Sequence, residues 1–380
     1  MILLAGSTAL WSRRFIGQAK IPPRMGLADI QDLDLGALET WCADAGEPRY
    51  RAAQILSWVH RRGAGDFAAM SNLGRGLRTR LAETFAVGRL EPSHVDAATD
   101  GTRKLLFTLP GDATGTRAAS IESVLIPQTD RPGGARDRLT LCISSQAGCG
   151  MGCGFCATAQ MGLVRNLRPA EIVGQVAAAL RLAAPEPVTN IVLMGMGEPL
   201  ANYDAVRLAL EVLTAEWGHA ISPRRITVST VGLAPLIPRF IADTRVNLAV
   251  SLHGTTDPQR ERLVPVNRRY PLATLMAACR EVPLARRKRI TFEYVMLAGE
   301  NDADGDARRL VQLLHGLRAK VNLIPFNPFP GAPFVPSPRA RIVRFQEVLL
   351  SHGVHATIRE SRGQDIQAAC GQLAVARPAA

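Results

Sequence analysis

Six near-continuous apolar runs alternate with helical stretches over residues 138–326, and nothing else in the chain constrains its fold as strongly. The runs are "RLTLCIS", "TNIVLMG", "RITVST", "VNLAVSL", "ITFEYVML" and "KVNLIPF". Between them lie "PAEIVGQVAAALRLA", "YDAVRLALEVLTAEW", "APLIPRFIAD", "PLATLMAACREV" and "DARRLVQLLHGL", whose apolar residues recur at helical spacing. A strand that is apolar along its whole length is buried on both faces, and a helix after each strand indicates parallel βαβ units. Six units fall short of the eight of a closed TIM barrel, so a partial barrel or an open sheet is expected.

Ligands of such folds bind at the carboxyl ends of the strands. The chain's conspicuous residues collect there. Cys149, Cys153 and Cys156 follow the first strand, in "CGMGCGFC", and "GMGEP" follows the second. Ser229 ends the third, "SLHG" at 251–254 ends the fourth, and Asn327 lies just beyond the sixth. Each alone could be an ordinary turn, because Gly, Pro, Ser and Asn break strands. Five on one face are harder to dismiss.

The part before the sheet differs in character. Residues 26 to about 90 read as helices, with "LGALETWCADAG" stopping at Gly46 and "RYRAAQILSWVHRRG" at Gly63. Between Glu47 and Arg80 stand seven arginines against two acids, and the whole chain carries a formal net charge of +12. A basic helical module suits nucleic-acid phosphates, although a solvated helical face has the same composition. A second basic run, Arg286 to Arg289, has the same two readings. Aromatic residues are only 5%, which argues against a base-stacking platform. "KLLFTL" and "ASIESVLIP" flank a turn and read as a β-hairpin, followed by the loop "QTDRPGGARDR".

No stretch approaches the roughly 20 apolar residues of a membrane span. Residues 1–25 read as a loose tail ahead of Met25, with a transit peptide as the weaker alternative. Seven cysteines, an odd number without a signal peptide, argue for a reducing cytoplasm and against a disulfide scaffold. Cys42 and Cys279 fall in apolar helices and read as buried bystanders.

The triplet asks for a metal. Structural zinc takes four ligands, commonly in two separated pairs, whereas one C-x2-C is present and no histidine stands nearby. Three thiolates on a glycine-rich loop suit a [4Fe–4S] cluster with one iron left open. Gly148, Gly150, Gly152 and Gly154 would let that loop curl round a bulky group.

C-x3-C-x2-C after the first strand, with Gly-Glu-Pro after the second, resembles the radical S-adenosylmethionine (SAM) superfamily. "CISSQAGCGMGCGFCATAQMGLVRNL", "GMGEPL", "NLIPFNPFPGAPF" and "RGQDIQAACGQL" further resemble its RlmN/Cfr family of adenosine methyltransferases, in register from about residue 30 to 373. The resemblance implies a partial (β/α)6 TIM-like barrel of the radical SAM type, an α/β fold with an N-terminal helical accessory domain and a β-hairpin linker. Expected boundaries are 1–25 tail, 26–95 helical domain, 96–134 hairpin and linker, 135–362 barrel and 363–380 C-terminal segment. It implies one [4Fe–4S] cluster on Cys149, Cys153 and Cys156. It assigns Gly197, Glu198, Ser229, Ser251, Leu252, His253 and Asn327 to SAM, two molecules being used per turnover.

Family chemistry also gives roles to two cysteines that otherwise read as a buried strand thiol and a helix-end packing residue. Cys370 becomes an S-methylcysteine, loses hydrogen to a radical and attaches to carbon 2 of adenine. Cys142 then resolves the protein–RNA crosslink, leaving a disulfide for an external reductant. Glu122 is the implied acceptor of the ring proton. The implied partners are 23S rRNA, tRNA and an external electron donor, with no membrane, and a monomeric cytoplasmic enzyme is expected. The competitors are a Cfr-like carbon-8 methyltransferase and, more remotely, a nucleic-acid-binding protein with a structural metal.

Overall fold

The computed structural model describes residues 27–111, 116–128, 138–286 and 288–374. The expected tail, most of the loop after Gln128, Arg287 of the second basic run and residues 375–380 lie outside the described residues.

Three helices, α1 (Leu35–Asp44), α2 (Tyr50–His60) and α3 (Arg75–Thr84), form the N-terminal module. The Asp34 carboxylate caps α1 by accepting from Ala37 N at 2.6 Å. Gly46 and Gly63 take left-handed φ of 72° and 65°, as the expected helix stops require. Ile30, Leu38, Ile55, Leu56, Met70 and Leu81 give the module its own small core.

Ten strands then make one sheet in which spatial order follows chain order. They are β1 (His94–Ala97), β2 (Arg103–Leu109), β3 (Ala119–Gln128), β4 (Arg138–Cys142), β5 (Asn190–Leu193), β6 (Ile226–Thr230), β7 (Asn247–Ser251), β8 (Ile290–Met296), β9 (Ala319–Pro325) and β10 (Ala356–Ile358). From β4 onward every pairing is parallel. β1, β2 and β3 join antiparallel, β3 pairing with β4. The hairpin forms the antiparallel edge of the barrel sheet, and short β10 adds a seventh parallel strand. A three-residue strand carries too little periodicity to be legible in sequence.

Helices α4 (Pro169–Ala183), α5 (Tyr203–Thr214), α6 (Ile237–Thr244), α7 (Leu272–Glu281), α8 (Asp304–Leu314) and α9 (Arg339–Ser351) cover one face of the sheet. Leu141, Ile191, Val228 and Val250 pack beneath them in the main core. The register puts Val124, Cys142, Val192 and Thr227 in one row on the opposite face. Ser229, Ala249 and Thr291 form the next row, and Ser251, Glu293 and Asn322 the one after. A strand's period of two therefore gives one oily face and one that is polar toward its carboxyl end.

The module docks on the helical side. Asp32 accepts from Ala170 N at 2.9 Å and pairs with Arg168 at 2.6 Å, while Arg61 donates to Glu216 O at 3.2 Å. Trp217 packs against both cores, with the His60 ring 6.1 Å from its own and the His219 ring 6.3 Å from His60. Both His60 nitrogens and His219 Nε2 have no hydrogen-bond partner among the described residues. Among the described residues no helix is long and apolar enough to cross a membrane.

Burial holds His60 at a pKa of about 3 and His219 at about 4, with the charges of His219 and Arg181 adding to the respective shifts. Unfolding frees both rings to titrate near their ordinary 6.5, so the unfolded chain binds protons that the native chain refuses. This contribution to stability is full above pH 6.5 and is lost as pH falls, by roughly 2 kcal/mol per ring at pH 5. The urea midpoint is expected to drop between pH 7.5 and 5, and His60→Leu to flatten that drop. An unchanged slope in the variant would show that the junction is not its source.

Candidate active site

The carboxyl ends of the parallel strands line an open cleft with a cavity volume of about 160 Å³. Its lining includes Cys149, Cys153, Cys156, Gly197, Glu198, Ser229, Ser251, His253, Asn327 and Cys370, so ten of the expected residues meet there. Leu252, the remaining residue expected at SAM, is not among the lining residues, and its side chain is buried in the main core.

The cysteine loop is held from several sides. Gly148 sits at φ 72° with Gly162 O only 1.9 Å from where a Cβ would stand, so no other residue fits. Cys149 N donates to Gly162 O at 2.9 Å and Gly154 N to Leu263 O at 3.1 Å. The Cys149 thiol accepts from Met151 N, and that of Cys156 from the Ala159 and Thr158 amides and the Thr158 hydroxyl. Burial pushes Cys149 up to about 11 and raises the other two; Cys156 adds to the shifts of Cys149 and Cys153, Cys149 to that of Cys153, and Cys370 to that of Cys156. Three thiols on one glycine-rich loop, all lining the same cleft, fit a cluster in which each binds its own iron.

Across the cleft, Gly197 takes φ 100°, and a Cβ there would stand 2.5 Å from Gln146 Cβ. The Glu198 carboxylate accepts from Leu200 N at 3.0 Å and Val231 N at 2.7 Å. Burial nonetheless raises its pKa to about 7, against the pull of these bonds. A buried carboxylate in this state is completed by a cationic ligand, and an ammonium group suits it. His253 adopts a left-handed φ of 57°, which Asn301 supports by donating to His253 O at 2.8 Å and Val295 O at 2.7 Å. Its Nδ1 accepts from Val295 N at 3.0 Å, so the ring hydrogen is on Nε2. Burial, with the charge of Arg260, lowers its pKa to about 3, and His253 faces the cleft as a neutral donor.

Tertiary lacing brings Cys370 to the cleft mouth. Ala157 N, just after the last cluster cysteine, donates to Gly371 O at 2.7 Å, and Asn327 Nδ2 to Cys370 O at 3.2 Å. Asn327 Oδ1 accepts from Gln364 at 2.8 Å, so both ends of this amide hold the C-terminal segment. Cys142 lies behind the lining, its thiol accepting from Met194 N and pushed up to about 12 by burial, then by the charge of Cys370. Both cysteines are free thiols.

Two charges here escaped sequence reading. Glu293, buried in the middle of β8, accepts from Asn322 at 3.0 Å through Oε1, while its Oε2 has no partner among the described residues. A carboxylate inside the apolar run "ITFEYVML" was the available signal. Arg359, just after β10, lines the cleft with Nη1 3.7 Å from Met194 Sδ, and its charge acts on Cys142. Nothing in the local sequence marks it.

Glu122 does not line the cleft. It shares the inner sheet face with Cys142, since Leu106 opposes Glu122 and Val124 opposes Cys142. Lys104 Nζ stands 3.3 Å from Oε1. Among the described residues Oε2 meets no partner in hydrogen-bond geometry, although the Ala374 amide is near enough to act on the charge. Burial raises the pKa of this carboxyl, with Lys104 opposing.

Comparison with known proteins covers both parts of the chain. Residues 28–87 match the family profile of the ribosomal RNA large subunit methyltransferase N-terminal domain, and residues 143–311 that of the radical SAM superfamily. A dual-specificity RNA methyltransferase RlmN of Syntrophotalea carbinolica is 52% identical over 345 residues, spanning 91% of this chain and 89% of that one. Its namesake in Halorhodospira halophila is 48% identical over 351 residues, spanning 92% and 94% respectively. The crystal structure of a radical SAM methyltransferase from Sphaerobacter thermophilus superposes with a TM-score of 0.79 at 47% identity, covering 91% of this chain and 99% of that one. With the cysteine loop, the Gly197–Glu198 turn and the basic helical module all inside the matched spans, the chain belongs to the RlmN family of radical SAM RNA methyltransferases.

Proposed function

We propose that the chain methylates carbon 2 of one adenosine in 23S rRNA and of an adenosine beside the anticodon in tRNA, with Cys370 carrying the methyl carbon. The observation that carries this reading is the meeting of Cys370 with the cluster loop on one side and with Cys142 and Arg359 on the other. When bound, the cluster and SAM supply a methyl group and one-electron chemistry able to take hydrogen from an unactivated carbon.

The chain's own residues do the rest. Glu198 holds the ligand's ammonium, and Gly197, Ser229, Ser251 and His253 line its bed. Carbon 2 of adenine lies between two ring nitrogens and is electron-poor, so it must be attacked by a carbon held on sulfur. Cys370 provides that sulfur. Glu122, with Oε2 uncommitted and burial favouring the protonated form, takes the ring proton. The Cys142 thiolate then attacks Cys370 sulfur, forming the S–S bond and breaking the bond from sulfur to the methylene carbon, which takes up a proton and leaves with the base as its new methyl group. The Cys142–Cys370 disulfide is reopened by an external reductant. Arg359 supplies the positive charge that Cys142 needs, because burial alone keeps that thiol protonated.

RNA reaches the mouth under electrostatic guidance. Arg51, Arg61, Arg78 and Arg80 are committed to Gln54, Glu216 O, Ala68 O and Glu47. Arg49, Arg62 and Arg75 remain exposed on the helical module.

Protein purified without oxygen is expected to carry one added methyl on the Cys370 peptide, read by mass spectrometry. An unmodified Cys370 in protein that retains iron and sulfide would remove the cysteine-relay reading. Cys142→Ala is expected to retain that methyl and to accumulate a covalent RNA adduct, which Cys370→Ala cannot form. Glu122→Gln should methylate Cys370 normally yet release product about a hundred- to ten-thousand-fold more slowly. Nucleoside digestion distinguishes 2-methyladenosine, the expected product, from 8-methyladenosine.

A further inference from the structure

Arg260 belongs to no expected site, yet it is wholly buried, on the short helix Asp257–Leu263 that follows β7. A guanidinium removed from water must find an acceptor for its N–H groups. Here Nε donates to Leu252 O at 3.0 Å, and Nη2 to Val231 O at 2.6 Å and Ser251 O at 3.2 Å. Nη1 donates to Asn267 Oδ1 at 2.9 Å, and Asn267 is anchored on Asp257 Oδ1 at 2.9 Å. None of the four acceptors is charged. Three of them are backbone carbonyls at the ends of β6 and β7.

Those carbonyls belong to the peptides that shape the cleft. Val231 donates its own N–H to Glu198, so a single residue is gripped by Glu198 on one side and Arg260 on the other. Ser251 and Leu252 lead directly into the left-handed His253. The fit is tight, since a Cβ on Gly254 would stand 2.8 Å from Arg260 Cα and one on Gly232 3.2 Å from Nη2. Gly254 and Gly232 admit the arginine because they lack one.

We infer that Arg260 is a positioning residue for SAM: its fork ties the ends of β6 and β7 together and so sets the spacing between Glu198, Ser229, Ser251 and His253. The inference rests on reading the cleft as the SAM site. It goes beyond that reading in naming a residue that touches no ligand. The geometry requires a fork, because four acceptors are shared among three nitrogens of one rigid plane. Lysine carries the charge but presents one nitrogen, which could stand in for Nη2 between Val231 O and Ser251 O yet leaves Leu252 O and Asn267 Oδ1 without their donors.

The test uses full-length protein with its cluster reconstituted anaerobically, comparing wild type, Arg260→Lys and Arg260→Met. SAM affinity is measured by calorimetry, RNA affinity by filter binding, cluster loading by iron and sulfide content, and folding by thermal midpoint. Arg260→Lys is expected to keep wild-type cluster content and RNA affinity while its Kd for SAM rises about tenfold or more, with Arg260→Met at least as impaired. A SAM Kd within about twofold of wild type in a loaded variant overturns the inference. A parallel loss of cluster, RNA affinity and thermal midpoint in Arg260→Lys overturns it too, because the arginine would then be merely structural. If Arg260→Met does not fold, Arg260→Lys decides. Failure of wild-type protein to bind SAM would instead sink the reading of the cleft itself, a distinct result.

Discussion

Backbone groups at the carboxyl ends of parallel strands run out of ladder partners, and a buried peptide group left alone is costly. The chain meets this at nearly every strand end with a buried polar side chain. Gln175 donates to Ser144 O at 3.0 Å and accepts from Ser144 N at 2.8 Å. Asn202 donates to Ser145 O at 2.9 Å and Leu167 O at 2.8 Å. Arg260 serves the ends of β6 and β7, and Asn301 the end of β8. The same bonds that satisfy the backbone also fix the loops, so the rim is built before any ligand arrives. Such preorganisation places binding groups without an ordering cost at the time of binding.

The cleft is also a place where charge is held out of water. Glu198, Glu293, Arg260 and Arg359 lie in or directly beside it. Glu198 is eased by backbone donors and Arg260 by backbone acceptors, so both remain where no opposite charge touches them. His253 goes the other way and stays neutral. Cys142 needs a cation to ionise, and Arg359 is the one that reaches it. Oppositely perturbed groups within one cavity are what a reaction sequence with separate nucleophile, base and ligand steps calls for.

The helical module and the barrel share a junction that is apolar at Trp217 and polar at Asp32. It lies on the helix-covered side of the sheet. Meanwhile the C-terminal segment crosses the mouth, held by Asp100 and Asp365 at one end and by Ala157 and Asn327 at the other.

Much of this was legible in the residues themselves. Six apolar runs alternating with helical ones dictated the parallel sheet, because periodicity and length are local properties. Cysteine spacing and the Gly-Glu-Pro turn marked the cysteine loop and the Glu198 turn as candidates, since each group of residues lies within a short stretch. What stayed hidden was whatever depends on distant segments meeting. Strand β10 was too short to read, and the hairpin could not announce which sheet edge it would join. Arg260 and Arg359 looked like any surface arginine until the fold buried the first and set the second on the cleft wall. Leu252, adjacent in sequence to two lining residues, turned its side chain into the core because neighbouring residues of an extended strand face opposite ways. Cys370 stands 214 residues beyond the last cluster cysteine, Cys156. Sequence alone determined that these thiols exist and in what local setting. Only tertiary packing, through hydrogen bonds between the C-terminal segment and the barrel mouth, decided that they share one cleft.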